Sequence, residues 1–149
     1  MANNTHYQIA LNQAKKSIKE GGIPIGAALV RNEIVIGKGH NQRVQQLNPI
    51  LHGEMDCLQN VGRIEDYSDT TLYTTLSPCM MCAGTIVQFK IKKLVIGENK
   101  NFKGNIAFLK EHGVEVEILN DQETINLMSD FIHENPELWM EDISENERK

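Results

Sequence analysis

Thr70-Thr71-Leu72-Tyr73-Thr74-Thr75-Leu76-Ser77-Pro78-Cys79-Met80-Met81-Cys82 runs from a β-prone segment straight into a helix start. Its first seven residues are β-branched, aromatic or apolar, the composition of a strand. Ser77 reads as an N-cap and Pro78 as the first helical residue, where a missing N–H costs nothing. The helix is then expected to run to about Phe89, followed by a short buried strand, Leu94-Val95-Ile96-Gly97. A strand, a helix and a second strand in this order form a crossover, so the two strands should lie parallel.

Working outward, Ile9, Ala10, Ala14, Ser17 and Ile18 recur every three or four residues from about Asn4 to Glu20, and Gly21-Gly22 stops this first amphipathic helix. Ile25 to Val30 and Ile34 to Ile36 are β-prone runs joined by Arg31-Asn32-Glu33, a hairpin. Gly37-Lys38-Gly39-His40-Asn41 should leave the second strand as a loop. Met55, Leu58 and Val61 follow at helical spacing, placing a helix start near His52. On the other side, a loop from Glu98 to Gly104 precedes a helix containing Ile106, Ala107, Phe108 and Leu109, with Gly113 past its end. Val114, Val116 and Ile118 alternate with Glu115 and Glu117, as in a half-exposed strand at a sheet edge. Asn120 with Glu123 reads as a capping box for a last long helix through Ile125, Leu127, Met128 and Phe131 to about Glu134, where Pro136 interrupts it. The order predicts one α/β domain over residues 1–149, a three-layer α/β/α sandwich around a mixed five-stranded sheet. There are no repeats, linkers or low-complexity segments.

Chemistry enters at His52-Gly53-Glu54 and Pro78-Cys79-Met80-Met81-Cys82. Cys79 and Cys82, three apart, share a helix face in the first turn, where the helix dipole favours thiolates. His52 and Glu54 are two apart, roughly opposite on a regular helix, so they can share a cavity only at its mouth. One imidazole and two thiolates with no obvious fourth ligand describe a catalytic zinc site, since a structural site closes its tetrahedron with a fourth Cys or His. Glu54 is then free to move protons. H-x-E followed by P-C-x-x-C is the signature of zinc deaminases, with the Glu as general acid and base. Neither half alone carries weight: a lone C-x-x-C also serves redox pairs and structural zinc. Cys57 reads as a small buried hydrophobe and His40 as a residue outside the metal set.

Composition narrows the partners. A chain of 149 residues with net charge −5 can bury about two-thirds of its unfolded surface and needs no metal or disulfide to fold. It has no run of eighteen apolar residues, and Met1-Ala2-Asn3-Asn4-Thr5 lacks a signal pattern, so a soluble, cytoplasmic protein without membrane contact is expected. Three cysteines, two of them in the metal motif, fit a reducing compartment. The acidic residues gather between Glu134 and Glu147, and the only basic cluster, Lys90-Ile91-Lys92-Lys93, reads as a solvated helix end. Nucleic acid is disfavoured as a partner and a small molecule favoured.

These motifs, together with Gly21-Gly22-Ile23-Pro24-Ile25-Gly26, Gly39-His40-Asn41, Leu51-His52-Gly53-Glu54, Gly97-Glu98-Asn99 and the tail Trp139-Met140-Glu141-Asp142-Ile143, carry a resemblance. The whole chain resembles the cytidine deaminase superfamily, and within it the fungal-type cytosine deaminases, which convert free cytosine to uracil and ammonia. The resemblance implies zinc on His52, Cys79 and Cys82, and Glu54 as proton shuttle. It also implies that Asn41 holds the pyrimidine edge, that Asp142 accepts from the exocyclic amine, and that the backbones of Gly53 and Ser77 complete the polar contacts. Ile25, Leu76, Phe102 and Trp139 would form apolar walls and a lid. Met80 departs from the acidic residue of the fungal motif, and Met55-Asp56 also differ. The family is commonly dimeric, and a face with Ile86, Val87 and Phe89 could serve an interface as well as the core. Three alternatives stay open: deamination of another free heterocycle such as guanine, deamination of a tRNA adenosine, and a non-catalytic zinc-stabilised binding module.

Overall fold

The computed structural model describes residues 4–145; Met1 to Asn3 and Asn146 to Lys149, which include Glu147 of the acidic stretch, lie outside the described residues. The elements follow in the order α1 (Asn4–Lys19), β1 (Gly26–Arg31), β2 (Ile34–His40), α2 (Gly53–Val61), β3 (Thr70–Leu76), α3 (Met80–Gln88), β4 (Lys93–Glu98), α4 (Ile106–Glu111), β5 (Glu115–Ile118), α5 (Gln122–Glu134) and α6 (Pro136–Asp142). The sheet order is β2-β1-β3-β4-β5. β1 pairs antiparallel with both β2 and β3, while β3, β4 and β5 are parallel, so the sheet is mixed as expected.

The strand sequences decide what covers each face. Leu72 pairs with Leu29 and Leu94, and these side chains with Ala27 and Ile96 meet Cys57 and Leu58 of α2, Ala83 and Ile86 of α3 and Leu109 of α4. Their neighbours Ala28, Val30, Tyr73 and Val95 point the other way, onto Tyr7, Ala10 and Leu11 of α1, with Leu127 of α5 alongside. Helices on both faces make the three-layer sandwich. A slip of one residue would exchange the two sets, so double-sided burial fixes the register. A third apolar cluster closes the end of the sheet where the site lies: Ile23, Ile25 and Leu76 with Met128, Phe131 and Trp139. Burying side chains of this size contributes about 1.5–3 kcal/mol each, which holds the short α6 against the body.

Four local expectations are corrected. β2 does not end at Ile36 but continues to His40, because Gly37 and Gly39 are strand residues pressed under α2: a Cβ on Gly37 would strike Val61, and one on Gly39 the backbone of Cys57. The glycines signal close helix-on-sheet contact rather than a loop. α3 begins at Met80 with Cys79 as its N-cap, so Ser77 and Pro78 precede the helix. The Ser77 N–H donates to Glu98 O at 3.1 Å, prolonging the β3–β4 ladder, and its hydroxyl donates to Lys103 O at 3.0 Å. α5 is capped by Asp121, whose carboxylate accepts from Thr124 N at 3.0 Å, while Asn120 sits outside at φ 51. Ile86 is sealed in the core and offers nothing to an interface. The basic cluster behaves as expected: Lys90 ends α3 in an exposed position, and Lys93 opens β4 within 3.4 Å of Glu115 and Glu117.

The corrected cap is testable. Asp121→Ala should lower unfolding free energy by about 1 kcal/mol in urea titration, whereas Asn120→Gly, at a position glycine suits, should stay within a few tenths.

Candidate active site

Two helix N-termini meet at one point. His52 is the N-cap of α2 with φ −66 and ψ 166, and Cys79 is the N-cap of α3 with φ −69 and ψ 175. The extended N-cap lets His52 and Glu54, two apart, share a cavity that a continuous helix would deny them. Gly53 between them packs with its Cα against the Ile25 carbonyl, where a Cβ would lie 3.0 Å from that oxygen.

His52 Nδ1 lies 3.5 Å from Cys79 Sγ and 3.9 Å from Cys82 Sγ. The three donor atoms are all within 4.8 Å of one another, the one such group of His, Cys and acidic residues among the described residues. One nitrogen and two sulfurs converging on a common point, with no fourth protein donor, fit zinc with an open position. Glu54 is 4 % exposed, stands outside the donor set and contacts the Cys82 thiol.

Protonation in the metal-free site follows from burial and contact. The Cys82 thiol hydrogen-bonds to Cys79, which with the His52 contact holds the Cys79 thiol down at about 4, while Cys82 is pushed up by the same bond and by burial. Burial pulls the His52 imidazolium down, but its hydrogen bond to Cys79 and the charges of Asp142, Glu54 and Cys79 outweigh this and bring it up to about 9. Burial, with the Cys79 thiolate adding to it, pushes Glu54 up to about 7, where a carboxyl can both take and give a proton near neutrality. Burial also raises Asp142.

The donors open on a cavity of about 260 Å³. Ile25, Leu76, Phe102 and Trp139 wall it, as the resemblance implies, and Phe102 and Trp139 meet edge to face with centroids 6.0 Å apart. His52, Glu54, Ser77, Cys79 and Asp142 supply its polar lining. Asn41 reaches the site through Asp142: fully buried, it donates from Nδ2 to Asp142 Oδ1 at 3.1 Å and accepts at Oδ1 from Arg43 N at 3.0 Å. Sequence reasoning missed Ile143 as a wall and Glu98 as a support. Glu98 is fully buried at the end of β4; it accepts from Lys100 N at 2.9 Å, Asn101 N at 3.0 Å and Asn101 Nδ2 at 3.0 Å, shaping the loop that carries Phe102. Its signals were an acid directly followed by polar loop residues and its place in Gly97-Glu98-Asn99. His40 stands apart from the donors, with Nδ1 3.0 Å from Gln13 Oε1 and Nε2 2.8 Å from Glu20 Oε1. Cys57 is a buried thiol raised by desolvation, as its core position requires.

Residues 1–98, which include His52, Glu54, Cys79 and Cys82, match the family described as the cytidine and deoxycytidylate deaminase zinc-binding region. The chain belongs to this family. Among its relatives, the cytosine deaminase of Candida albicans is 55% identical over 141 residues, covering 93% of this chain and 94% of its own length. A tRNA-specific adenosine deaminase of Buchnera aphidicola is 43% identical over 114 residues, covering 74% of this chain and 75% of its own. A structure from a study of A-to-I editing by tRNA:A34 deaminases at the wobble position superposes with a TM-score of 0.74 at 25% identity, over 84% of this chain and 99% of that one. The shared fold therefore hosts different substrates, and the family match brings zinc with it.

Metal uptake should release protons. With Cys79 at about 4 and His52 at about 9, one ligand is already deprotonated at pH 7 while the imidazolium and the Cys82 thiol each carry a proton. Zinc needs all three deprotonated, so about two protons should leave per ion, and affinity should climb with pH between those values. Calorimetry in buffers of different ionisation enthalpy measures the number. Cys82→Ala should bind no stoichiometric zinc by elemental analysis.

Proposed function

We propose that this protein is a zinc-dependent hydrolytic deaminase of free cytosine, producing uracil and ammonia. The observation that carries the reading is the small cavity over the three donors, with Asp142 and Trp139 of α6 forming one side. Apolar walls on Ile25, Leu76, Phe102 and Trp139 with a few convergent polar groups suit a flat heterocycle. The relationship to the Candida albicans enzyme spans nearly the whole chain.

When bound at His52, Cys79 and Cys82, zinc supplies the Lewis acidity that makes water a nucleophile near neutral pH. Glu54 takes one proton from the attacking water and passes it to the ring nitrogen beside the reacting carbon, then takes the remaining proton of the added hydroxyl and passes it to the amine, which leaves as ammonia while the carbonyl forms. Asp142 accepts from the exocyclic amine, which favours cytosine over the carbonyl of its product. Asn41 orients Asp142 and, with the backbones of Gly53 and Ser77, contacts the ring edge. Ile25, Leu76, Phe102 and Trp139 exclude water.

The competing readings have less support. A tRNA substrate calls for basic groups around the pocket, whereas the chain carries net charge −5 and closes the site with an acidic helix. A purely structural zinc module has no use for a buried carboxylate beside the donor set. No helix among the described residues is long and apolar enough to cross a membrane. We place the enzyme in the cytoplasm, in recovery of free pyrimidine bases, as one domain over residues 1–149 and as a homodimer. The half-exposed Met80 and Phe89 offer apolar area for that contact.

Two measurements test the reading. Glu54→Gln should keep its zinc and fold yet lose at least 10²–10⁴-fold in turnover, about 3–5 kcal/mol of barrier; near-native turnover would remove Glu54 from its role. Ammonia release should be fast from cytosine and hardly detectable from cytidine, whose sugar replaces the ring N–H that the pocket contacts. Faster turnover of cytidine, guanine or RNA would overturn the cytosine assignment.

A further inference from the structure

His52 uses only one of its two ring nitrogens toward the sulfurs. Nδ1 faces Cys79 and Cys82, and Nε2 faces the opposite way, 3.5 Å from Asp142 Oδ1. Both side chains are nearly closed to solvent, with the Asp142 side chain 3% exposed and that of His52 10%. Asp142 is itself fixed: the Asn41 amide donates to the same oxygen at 3.1 Å, and Asn41 is anchored by Arg43 N at 3.0 Å and, through its carbonyl, by the Ser17 hydroxyl at 2.6 Å. Arg43 also pairs with Glu141, the residue before Asp142, at 2.5 Å. A chain of polar contacts thus runs from the loop after β2, through the last turn of α6, to the back of a metal ligand.

We infer that Asp142 is a positioning residue for the metal ligand His52, so that zinc binding and the docking of α6 stabilise each other. A metal on Nδ1 fixes the imidazole tautomer, leaving the ring proton on Nε2, and the nearest acceptor for that proton is Asp142 Oδ1. At 3.5 Å the contact is an ion pair a few tenths of an ångström longer than a good hydrogen bond, so a small rotation of either side chain completes it. A carboxylate in that place selects the tautomer with a free Nδ1 lone pair and makes the ligand more basic. By reciprocity, whatever α6 contributes to zinc affinity, zinc returns to the closure of α6. The helix that covers the cavity then also responds to whether the site is loaded, because a metal on Nδ1 fixes the orientation of the ring whose Nε2–H faces Asp142.

The inference rests on the zinc assignment and is independent of which base is turned over, because its readout is metal affinity without substrate. Zinc dissociation constants are measured for the full-length, zinc-loaded protein by competition with a chromophoric chelator, in the native chain, Asp142→Asn, Asp142→Ala and Glu137→Gln. Glu137 lies on the exposed side of the same helix, so its variant removes a charge from α6 without touching His52. Asp142→Asn and Asp142→Ala should weaken zinc by 10- to 100-fold, with Glu137→Gln unchanged. Zinc affinity within twofold of native in Asp142→Asn, or an equal loss in Glu137→Gln, overturns the positioning role. Hydrogen exchange on the native protein gives a second test that needs no substitution. Amides of residues 137–142 should exchange more slowly with zinc than after chelation, and equal rates overturn the link between metal and helix.

Discussion

The structure depends on the convergence of two helix N-termini at the carboxyl end of β3. Each helix start carries a partial positive charge of about half an elementary unit and several N–H groups without helical partners. Placed together, the starts of α2 and α3 make a local field in which thiolates and a carboxylate can sit buried. The sheet fixes where this happens. β3 and β4 are parallel, so both release the chain at the same edge, the place where open α/β sheets bind ligands. Ser77 still pairs with Glu98, and Pro78, lacking an N–H, cannot continue the ladder. The chain therefore turns out of the sheet at a defined residue, and Cys79 follows directly. From the same edge, β4 ends in Glu98, whose carboxylate builds the loop bearing Phe102.

The metal site and the layer order were legible because both are written in local sequence. H-x-E and P-C-x-x-C specify donors whose spacing only a helix start can satisfy, and the alternation in Leu72-Tyr73 and Leu94-Val95-Ile96 announces strands buried on both faces. What stayed hidden depended on contacts between distant residues. Gly37 and Gly39 looked like a loop because glycine marks both turns and close approaches, and only the position of Val61 and Cys57 distinguishes them. Asn120 and Asp121 are both good caps, and the positive φ at Asn120 that moves the cap by one residue has no sequence marker. Ser77 looked like an N-cap by type, but its backbone was already committed to Glu98. Asn41 has a contact that no local pattern announces: its amide grips Asp142, a partner 101 residues away in sequence.

Charge explains why this site suits a dication. Cys79, Cys82, Glu54 and Asp142 are four acidic groups gathered around one imidazole, all buried but Cys79, which is half-buried. Two like charges at about 4 Å repel by roughly 4 kcal/mol even at an effective dielectric of 20. That is comparable with the whole stability of an ordinary domain, about 5–15 kcal/mol, so the four cannot all ionise without a cation. In the metal-free site protons take that place: Cys82 keeps its thiol proton, Glu54 titrates near 7 and His52 stays an imidazolium to about 9. Zinc held there would take the place of the Cys82 thiol proton and of one imidazolium proton, beside the Cys79 thiolate that is already ionised. Glu54 is outside the donor set, so its proton is the one the loaded site leaves mobile. The same burial that makes the empty pocket electrostatically awkward thus separates the groups into three fixed ligands and one proton carrier.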